Sequence, residues 1–158
     1  MKIINNELIK NVVSQAKNSP RKRMNHNFHE TLDANVQRML NVLEIETYIQ
    51  PHKHEDPDKF EAFVILKGKI LVVEFDDMGN ILSNCVLSAK DGTFGTEIAP
   101  KTWHCIVALE PASVVYEVKD GPYSPLNDKN FASWAPKEGD PDCKQYNADL
   151  VKRCGLKL

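Results

Sequence analysis

Residues 51–68 read PHKHEDPDKFEAFVILKG, and this stretch decides the fold that we expect for the chain. In an extended strand, residues i and i+2 point to the same face, so His52 and His54 project together and Lys53 projects to the other side. Glu61 opens the apolar run that follows, where a carboxylate is costly to bury unless it is paired or bound to a cation. The stretch therefore predicts two strands that bring two imidazoles and one carboxylate together.

A second motif, further along the chain, supplies a third imidazole. Pro100-Lys101-Thr102-Trp103-His104 is a proline-led turn that ends in a histidine at the start of another apolar run. By period-2 counting, His104 shares a face with Ile106 and Ala108. Three imidazoles and a carboxylate suit a divalent transition metal, and each motif alone is a weaker signal than the two together. We therefore predict a site for zinc, iron(II), nickel or manganese whose ligands are His52, His54, Glu61 and His104.

The region from residue 36 to residue 120 predicts a barrel or sandwich of short strands. Runs rich in β-branched and aromatic residues alternate there with turn signals, and no helical period of useful length interrupts them. Asp76-Asp77-Met78-Gly79-Asn80 is a hairpin turn with a glycine free to adopt positive φ, and Lys67-Gly68-Lys69 is a second tight turn. The predicted strands are Val36–Leu43, Thr47–Pro51, Phe60–Leu66, Ile70–Phe75, Ile81–Leu87, Gly92–Ile98, Trp103–Leu109 and Ser113–Val118.

A helix is predicted before this region. Apolar residues recur at helical spacing over residues 5–17, Asn5 or Asn6 can serve as the N-cap, and Pro20 ends the pattern. Residues 19–35 are polar and are predicted to be irregular. We therefore expect residues 1–35 to form an N-terminal helix and an irregular extension of the β-barrel.

A second helix is predicted near the end of the chain, from Pro141 to Cys154, with Asp140 as N-cap and Gly155 just past the end. Asp128–Trp134 predicts a short helical turn. Cys143 and Cys154 are interpreted as two buried thiols on one helix face, although they could also pair. We expect residues 121–158 to form a tail whose helix packs on the barrel.

Composition and charge exclude several classes of protein. The chain has 158 residues, of which 42% are hydrophobic and 27% are charged, as in an ordinary globular domain. A net charge of −2 gives no basic field that would hold nucleic acid, and no stretch approaches the roughly 18 apolar residues of a membrane span. The four cysteines form no CxxC pair, and the N-terminus lacks the apolar core of a signal peptide. We therefore expect a cytoplasmic protein with reduced thiols and no nucleic-acid or membrane partner.

The two histidine motifs resemble those of the cupin superfamily. The first cupin motif has two histidines one residue apart, then a glutamate, then a glycine, and His52, His54, Glu61 and Gly68 match it. The resemblance implies a single-domain, mainly β fold: a jelly-roll, or double-stranded β-helix, barrel with helices at both ends. Cupins are often dimers, so it also implies a possible homodimer.

The match to the cupin motifs has three departures. The leading glycine position is Glu46, and six residues separate His54 from Glu61 where cupins have three or four. The second motif is one residue short, with Thr102 and Ala108 in place of a glycine and an asparagine. The longer gap bears on whether Glu61 is a metal ligand. With Glu61, four ligands close a tetrahedral zinc site and leave two positions open at an octahedral ion. Without Glu61, three histidines leave zinc an open catalytic position.

A narrower resemblance is to the WbuC-type cupin fold metalloproteins, which are found among bacterial polysaccharide gene clusters. It extends over nearly the whole chain after the first helix, and the stretches that carry it are residues 37–41, 51–54, 59–61, 97–98, 103–104, 108–111, 117–123 and 134–136. This family implies a metal site in a β-barrel and a role in surface-polysaccharide metabolism. It does not imply a defined reaction.

Polar residues inside apolar strands are candidates for substrate binding, because such groups need partners. Arg38 and Asn41 interrupt the strand Val36–Leu43, and by parity they lie on opposite faces, so they cannot both line a cavity unless a bulge intervenes. Tyr116 and Glu117 are the other candidates, again on opposite faces. For each of the four, a surface or structural role is the alternative.

Three functions fit this set of residues. The first, which we favour, is a metal-dependent enzyme that acts on a small polar ligand, a sugar or sugar-derived acid, by Lewis-acid chemistry such as isomerisation, epimerisation or elimination. The second is an iron(II)-dependent oxygenase. The third is a non-catalytic module that binds a carbohydrate or carboxylate through its metal. The sequence does not choose among them.

Overall fold

Two antiparallel sheets of five strands each pack face to face in this computed structural model, which describes residues 1–124 and 128–157. In chain order the strands are β1 (Arg23–Asn27), β2 (Val36–Leu43), β3 (His52–Lys53), β4 (Glu61–Lys67), β5 (Ile70–Phe75), β6 (Ile81–Leu87), β7 (Gly95–Ile98), β8 (Trp103–Ala108), β9 (Ser113–Asp120) and β10 (Asn130–Phe131). One sheet has the order β1-β2-β9-β4-β7 and the other β10-β3-β8-β5-β6. Apart from the consecutive pairs β1-β2 and β5-β6, neighbours in each sheet come from distant parts of the chain, as in a jelly roll.

The interior between the sheets is apolar at one end and polar at the other. Alternation along each strand sends every second residue inward, and the apolar end is filled by Leu43, Phe63, Ile65, Ile70, Val72, Leu87, Ile98, Ile106, Ala108 and Val115. Along β2, β4 and β9 the same inward faces continue with polar residues, namely Asn41, Glu61, Glu117 and Lys119, all of them buried. The fold therefore places charged side chains inside the barrel, where they require partners.

A helix covers the outer face of each sheet. Helix α1 (Asn6–Asn18) packs Val12 and Ala16 on Leu40 and Val42 of β2, and the side chain of Asn5 caps its first turn by accepting from the Leu8 amide. Helix α2 (Cys143–Arg153) packs Leu150 and Val151 on the outer side of β5 and β8, where Leu71, Val73 and Val107 lie. The helices predicted before and after the barrel in the chain are both present.

The segment of residues 19–35 differs from its predicted irregular structure, because it contains strand β1. This strand pairs in register with β2, from Arg23 opposite Leu43 to Asn27 opposite Met39. Its sequence, Arg-Met-Asn-His-Asn, has no apolar alternation, so only the backbone pairing with β2 makes it a strand.

Two further segments correct the predicted elements. Asp128–Trp134 contains no helical turn; it contains β10, which pairs with β3. Thr47–Pro51 forms no strand, because its carbonyls accept from groups outside any ladder: the Asn147 amide side chain, the Arg23 guanidinium and the Ala132 amide.

The C-terminal helix begins later than predicted. Asp140 does not cap it, because the Asp140 carboxylate accepts from the amide of Lys137, and the helix starts at Cys143. Gly155 follows its end with φ of 76°, as predicted. Cys143 is buried, Cys154 is partly buried, and both are free thiols, as are Cys85 and Cys105. Within residues 1–124 and 128–157, none of the helices has the length and apolar character needed to traverse a bilayer.

Candidate metal centre

The four predicted metal ligands meet at the polar end of the barrel. His52 on β3 lies directly opposite His104 on β8, and His54 follows β3 by one residue. Glu61 opens β4 on the facing sheet. All four side chains are at most 3% exposed. One ligand atom from each, a ring nitrogen or a carboxylate oxygen, lies within 4.8 Å of every other.

The imidazoles are oriented by main-chain carbonyls. The Nδ1 atom of His52 donates to the carbonyl of Gln50 and that of His104 to the carbonyl of Thr102, both at 2.9 Å. The Nδ1 atom of His54 donates to the carbonyl of Asp128. Since a neutral imidazole carries one N–H, these bonds leave the three Nε2 lone pairs free, which is the way metal-binding histidines are usually held.

Two of the three Nε2 atoms have no hydrogen-bond partner among the described residues, namely those of His52 and His54. The third, on His104, lies 2.9 Å from Oε2 of Glu61, and Nε2 of His54 lies 3.5 Å from the same oxygen. Buried polar atoms without partners are rare and costly. A divalent ion among these atoms would satisfy them, so the donor set fits a metal.

The protonation states of the site also fit a metal. Burial lowers the pKa of His52 well below its usual range, which keeps the ring neutral. Burial acts to raise the pKa of Glu61, but the adjacent imidazoles of His104 and His54 outweigh it and hold that pKa well below the usual range. A neutral imidazole and an ionised carboxylate are the forms that coordinate a cation.

A cavity of about 580 Å³ lies beside the cluster. Its wall contains Gln50, whose carbonyl orients His52, and Phe131, whose ring centroid is 6.2 Å from that of His52. Arg21, Arg23 and Glu138 also line it. A cavity of this size is in the usual range for small-molecule sites.

Two of the predicted substrate-binding residues lie in this cavity. Asn41 and Glu117 both line it, and Nδ2 of Asn41 donates to Oε2 of Glu117 at 3.0 Å. Burial, and after it the negative charge of Glu61, raises the pKa of the Glu117 carboxyl to about 8. The cavity wall is thus polar on the side that adjoins Glu61.

The other two lie elsewhere. Alternation along β2 places Arg38 with Leu40 on the outer face, toward α1, and no bulge interrupts the register of β2 with β9. Tyr116 packs in that same outer cluster, with its ring centroid 5.9 Å from that of Phe28. The structure therefore separates Arg38 and Tyr116 from the cavity that Asn41 and Glu117 share.

Sequence reasoning missed a group of charged residues beside the cluster. Asp128 accepts from Lys59 through one carboxylate oxygen and from Lys119 through the other, each at 2.6 Å, and all three are at most 4% exposed. Lys129 lines the cavity next to them. The parity of Lys119 with Glu117 was a usable signal for an inward side chain, and Lys59 lies in one of the stretches that carry the family resemblance. Neither a strand period nor that resemblance marks Asp128 or Lys129.

Comparison with known proteins identifies the family. A family model described as a domain of unknown function (DUF6016) matches residues 4–87 of the 158. The chain belongs to the DUF6016 family. The matched part of this DUF6016 chain contains His52, His54 and Glu61, while His104 lies beyond it. None of the curated proteins matches the sequence.

Solved structures with the same architecture show the fold. L-ribose isomerase from Cellulomonas parahominis without ligand has a TM-score of 0.57 at 14% identity, over 74% of this chain and 72% of the isomerase. KdgF from Halomonas sp. has a TM-score of 0.51 at 20% identity, over 68% of this chain and 84% of KdgF. The capsular polysaccharide assembling protein CapF from Staphylococcus aureus has a TM-score of 0.56 at 21% identity, over 72% of this chain and 32% of CapF. The predicted cupin jelly roll with flanking helices is confirmed.

Proposed function

We propose that this protein is a metal-dependent enzyme of the cupin fold that acts on a small sugar or sugar-derived substrate. Its metal ligands are His52, His54, Glu61 and His104. The strongest support is the pair of buried Nε2 atoms, on His52 and His54, that have no partner among the described residues and face the Glu61 carboxylate. A purely structural cluster would leave both nitrogens unsatisfied at a cost of about 1–3 kcal/mol each.

The chemistry divides between the ion and the chain. A divalent ion of zinc, iron, nickel or manganese bound here supplies Lewis-acid polarisation of a carbonyl or hydroxyl oxygen. The chain holds the three imidazoles in one orientation through main-chain carbonyls, so that they need not reorganise. The cavity wall of Asn41 and Glu117 supplies polar groups that orient a hydroxylated substrate.

A role in surface-polysaccharide metabolism is part of this proposal. The resemblance to WbuC-type proteins supports it, and two of the structures that share the fold are named for sugar chemistry, an L-ribose isomerase solved with L-ribose and the capsular polysaccharide protein CapF. The four free thiols are consistent with the reducing environment of the cytoplasm, where we place the reaction. We propose residues 36–120 as the barrel domain, which contains all four ligands, with residues 1–35 and 121–158 as its extensions.

Metal analysis of the native protein tests the proposal. Inductively coupled plasma mass spectrometry is expected to find close to one transition-metal ion per chain, and the double variant His52→Ala/His104→Ala is expected to lose it. The matched control is His26→Ala, a histidine of β1 that stacks on Phe28 and lies outside the cluster. A double variant with unchanged metal content contradicts the site.

Turnover is tested next with the metal-loaded protein. Incubation with a panel of sugar nucleotides and free sugars, with and without dioxygen, is expected to convert at least one of them in both conditions. Conversion only in the presence of dioxygen would identify an oxygenase instead, and tight binding of an unaltered sugar would identify a binding module.

A further inference from the structure

The charged groups beside the metal ligands hold no excess of negative charge before any ion binds. Among the residues that the structure describes there, three ammonium groups face at most three carboxylates, namely Lys59, Lys119 and Lys129 with Glu61, Glu117 and Asp128. The raised pKa of Glu117 removes much of its negative charge at neutral pH. A divalent ion therefore brings positive charge that this set does not neutralise. Excess charge in a buried site is costly, so an anionic ligand is favoured there.

Within residues 1–124 and 128–157, Lys129 is the cation of this set that has no ion pair and so can bind such a ligand. Lys59 and Lys119 both pair with the Asp128 carboxylate, whereas Lys129 forms no ion pair with any residue in the described part of the chain. It is half-buried in the cavity wall, one residue before β10. Burial lowers the pKa of Lys129, and the negative charge of Glu61 opposes that shift. Its ammonium group thus lies near the metal ligands without a fixed anionic partner.

Asn41 offers a second unused group in the same cavity. Its side chain is 8% exposed, and its Nδ2 donates to Glu117, but its Oδ1 has no partner among the described residues. A buried carbonyl oxygen of this kind lacks a donor, and a ligand hydroxyl would provide it. Among the described residues that line it, the cavity therefore presents one cation without an ion pair and one acceptor without a donor.

We propose that the substrate of this site is a small polyhydroxylated carboxylate, a sugar acid, whose carboxylate binds Nζ of Lys129 and one of whose hydroxyls donates to Oδ1 of Asn41. The inference rests on the proposed function and names its substrate class. A phosphate is usually bound by several donors or by a bidentate arginine. The two arginines that line the cavity, Arg21 and Arg23, are both bound to Glu138.

The remaining wall suits the carbon skeleton of such a ligand. Met39, Ile49 and Phe131 line the cavity alongside the polar groups. The ring of Phe131 is adjacent to His52, so an apolar sugar face laid on it keeps the ligand beside the metal ligands.

Titration calorimetry on the metal-loaded protein tests the inference with three matched probes: D-glucuronate, D-glucose and D-glucose 6-phosphate. The wild-type protein is expected to prefer glucuronate to glucose. Loss of one charge-assisted bond in Lys129→Gln is expected to weaken glucuronate binding about tenfold or more. Binding of glucose is expected not to change, and Lys129→Arg is expected to keep most of the affinity for glucuronate. Lys144→Gln, at an exposed position of α2, is the control.

Metal content separates a failure of this inference from a failure of the proposed function. Lys129→Gln is expected to retain the metal of the wild-type protein. Three results with a metal-containing wild-type protein overturn the sugar-acid assignment while the metal site stands. The first is binding of glucose or glucose 6-phosphate as tight as that of glucuronate, and the second is no binding of glucuronate. The third is equal affinity of the wild type and Lys129→Gln for glucuronate. If the wild-type protein holds no metal, the proposed function itself is overturned.

Discussion

The imidazole of His54 donates its Nδ1–H to the main-chain carbonyl of Asp128, a residue 74 positions further along the chain. The carboxylate of that same Asp128 is held by Lys59 and Lys119, so its main chain cannot shift without disturbing two buried ion pairs. A segment that follows the last long strand therefore orients one of the proposed metal ligands.

The Asp128→Asn variant tests this arrangement. The substitution leaves two buried ammonium groups without a carboxylate, and removal of one partner from a buried ion pair usually costs about 3–5 kcal/mol. We expect a marked fall in the free energy of unfolding, measured by urea denaturation. Because the groups that hydrogen-bond to metal-binding histidines tune their affinity, the affinity for metal is expected to fall about 10–100-fold.

Asp58→Asn is the matched control for this prediction. Asp58 pairs with Lys101 at 3.3 Å on the surface, where both side chains are about half exposed. Such a pair contributes about 0–1 kcal/mol, so the control is expected to unfold close to the wild-type midpoint. Equal effects of the two substitutions would show that the buried ion pairs of Asp128 contribute no more to the free energy of unfolding than the surface pair of Asp58.

Metal is expected to stabilise the fold, since the four ligands converge only in the folded chain. A ligand that binds only the native state at about 100 times its dissociation constant adds about 2.7 kcal/mol. The melting temperature of the metal-depleted wild-type protein should therefore rise when zinc, nickel or manganese is titrated in. The His52→Ala/His104→Ala variant should show no such rise, whereas His26→Ala should respond like the wild type. A stabilisation that persists in the double variant would point to a different site.

Acid sensitivity is predicted for the Glu138 carboxylate, which bridges Arg21 and Arg23 at 2.7 Å from each. Burial acts to raise the pKa of Glu138, but the hydrogen bonds from the two arginines prevail and hold it below its usual value of 4.5. The stabilisation from this lowered pKa is therefore present above pH 4.5 and is lost as the pH falls through the folded-state value.

The Glu138→Gln variant isolates this effect. It is expected to be less stable than the wild type at pH 7, by a modest amount because the carboxylate is 38% exposed. The difference between the two proteins should shrink as the pH is lowered below 4.5. Chemical denaturation at a series of pH values measures it, with Glu46→Gln at an exposed position as control. A difference that stays constant down to the acid limb would contradict the predicted sign.

Two glycines with similar backbone angles differ in what surrounds them. Gly79 in the β5–β6 hairpin has φ of +81°, and a Cβ there would lie 2.7 Å from Cε3 of Trp134. Gly92 has φ of +85° and nothing within 4 Å of its Cβ position. Alanine at either position incurs the cost of a left-handed conformation, about 1–2 kcal/mol.

Gly79→Ala must also displace the Trp134 ring, so we expect it to be more destabilising than Gly92→Ala by about 1–3 kcal/mol. Thermal denaturation of the two variants side by side measures the difference. Near-ultraviolet circular dichroism of the tryptophans should change only in Gly79→Ala. Equal melting temperatures would show that Trp134 moves aside freely.

The strands with strong apolar patterns were predictable from the sequence. The predicted bounds of Val36–Leu43, Ile70–Phe75 and Ile81–Leu87 are those of β2, β5 and β6, because each run is long and is bounded by turn residues. The hairpin at Gly79 formed as predicted, with the Asp76 carboxylate accepting from the amides of Met78 and Asn80. Strands whose existence depends on a partner were not predictable, and β1 and β10 are of this kind.

The candidate site divides in the same way. His52 and His54 could be placed on one face because their spacing follows the strand period, and His104 on the face of Ile106 and Ala108 in its own strand. Glu61 could be included because a carboxylate beside an apolar run needs a cation. The residues that orient the cluster lie in loops or as single positions beside strands, where no strand period predicts where a side chain points. Asp128 acts on His54 through a main-chain carbonyl, and such a contact leaves no mark on the choice of side chain.

The short pairing of β10 with β3 places Lys129 at the cavity although this residue belongs to neither long sheet ladder. Strand register fixes the positions of His52, Glu61 and His104, three of the proposed metal ligands. Position 129 is not paired in either sheet, so a different side chain there leaves the strand register unchanged. A single substitution at position 129 can therefore change the charge at the cavity. The ligand preference of this site can then evolve without a change in the fold.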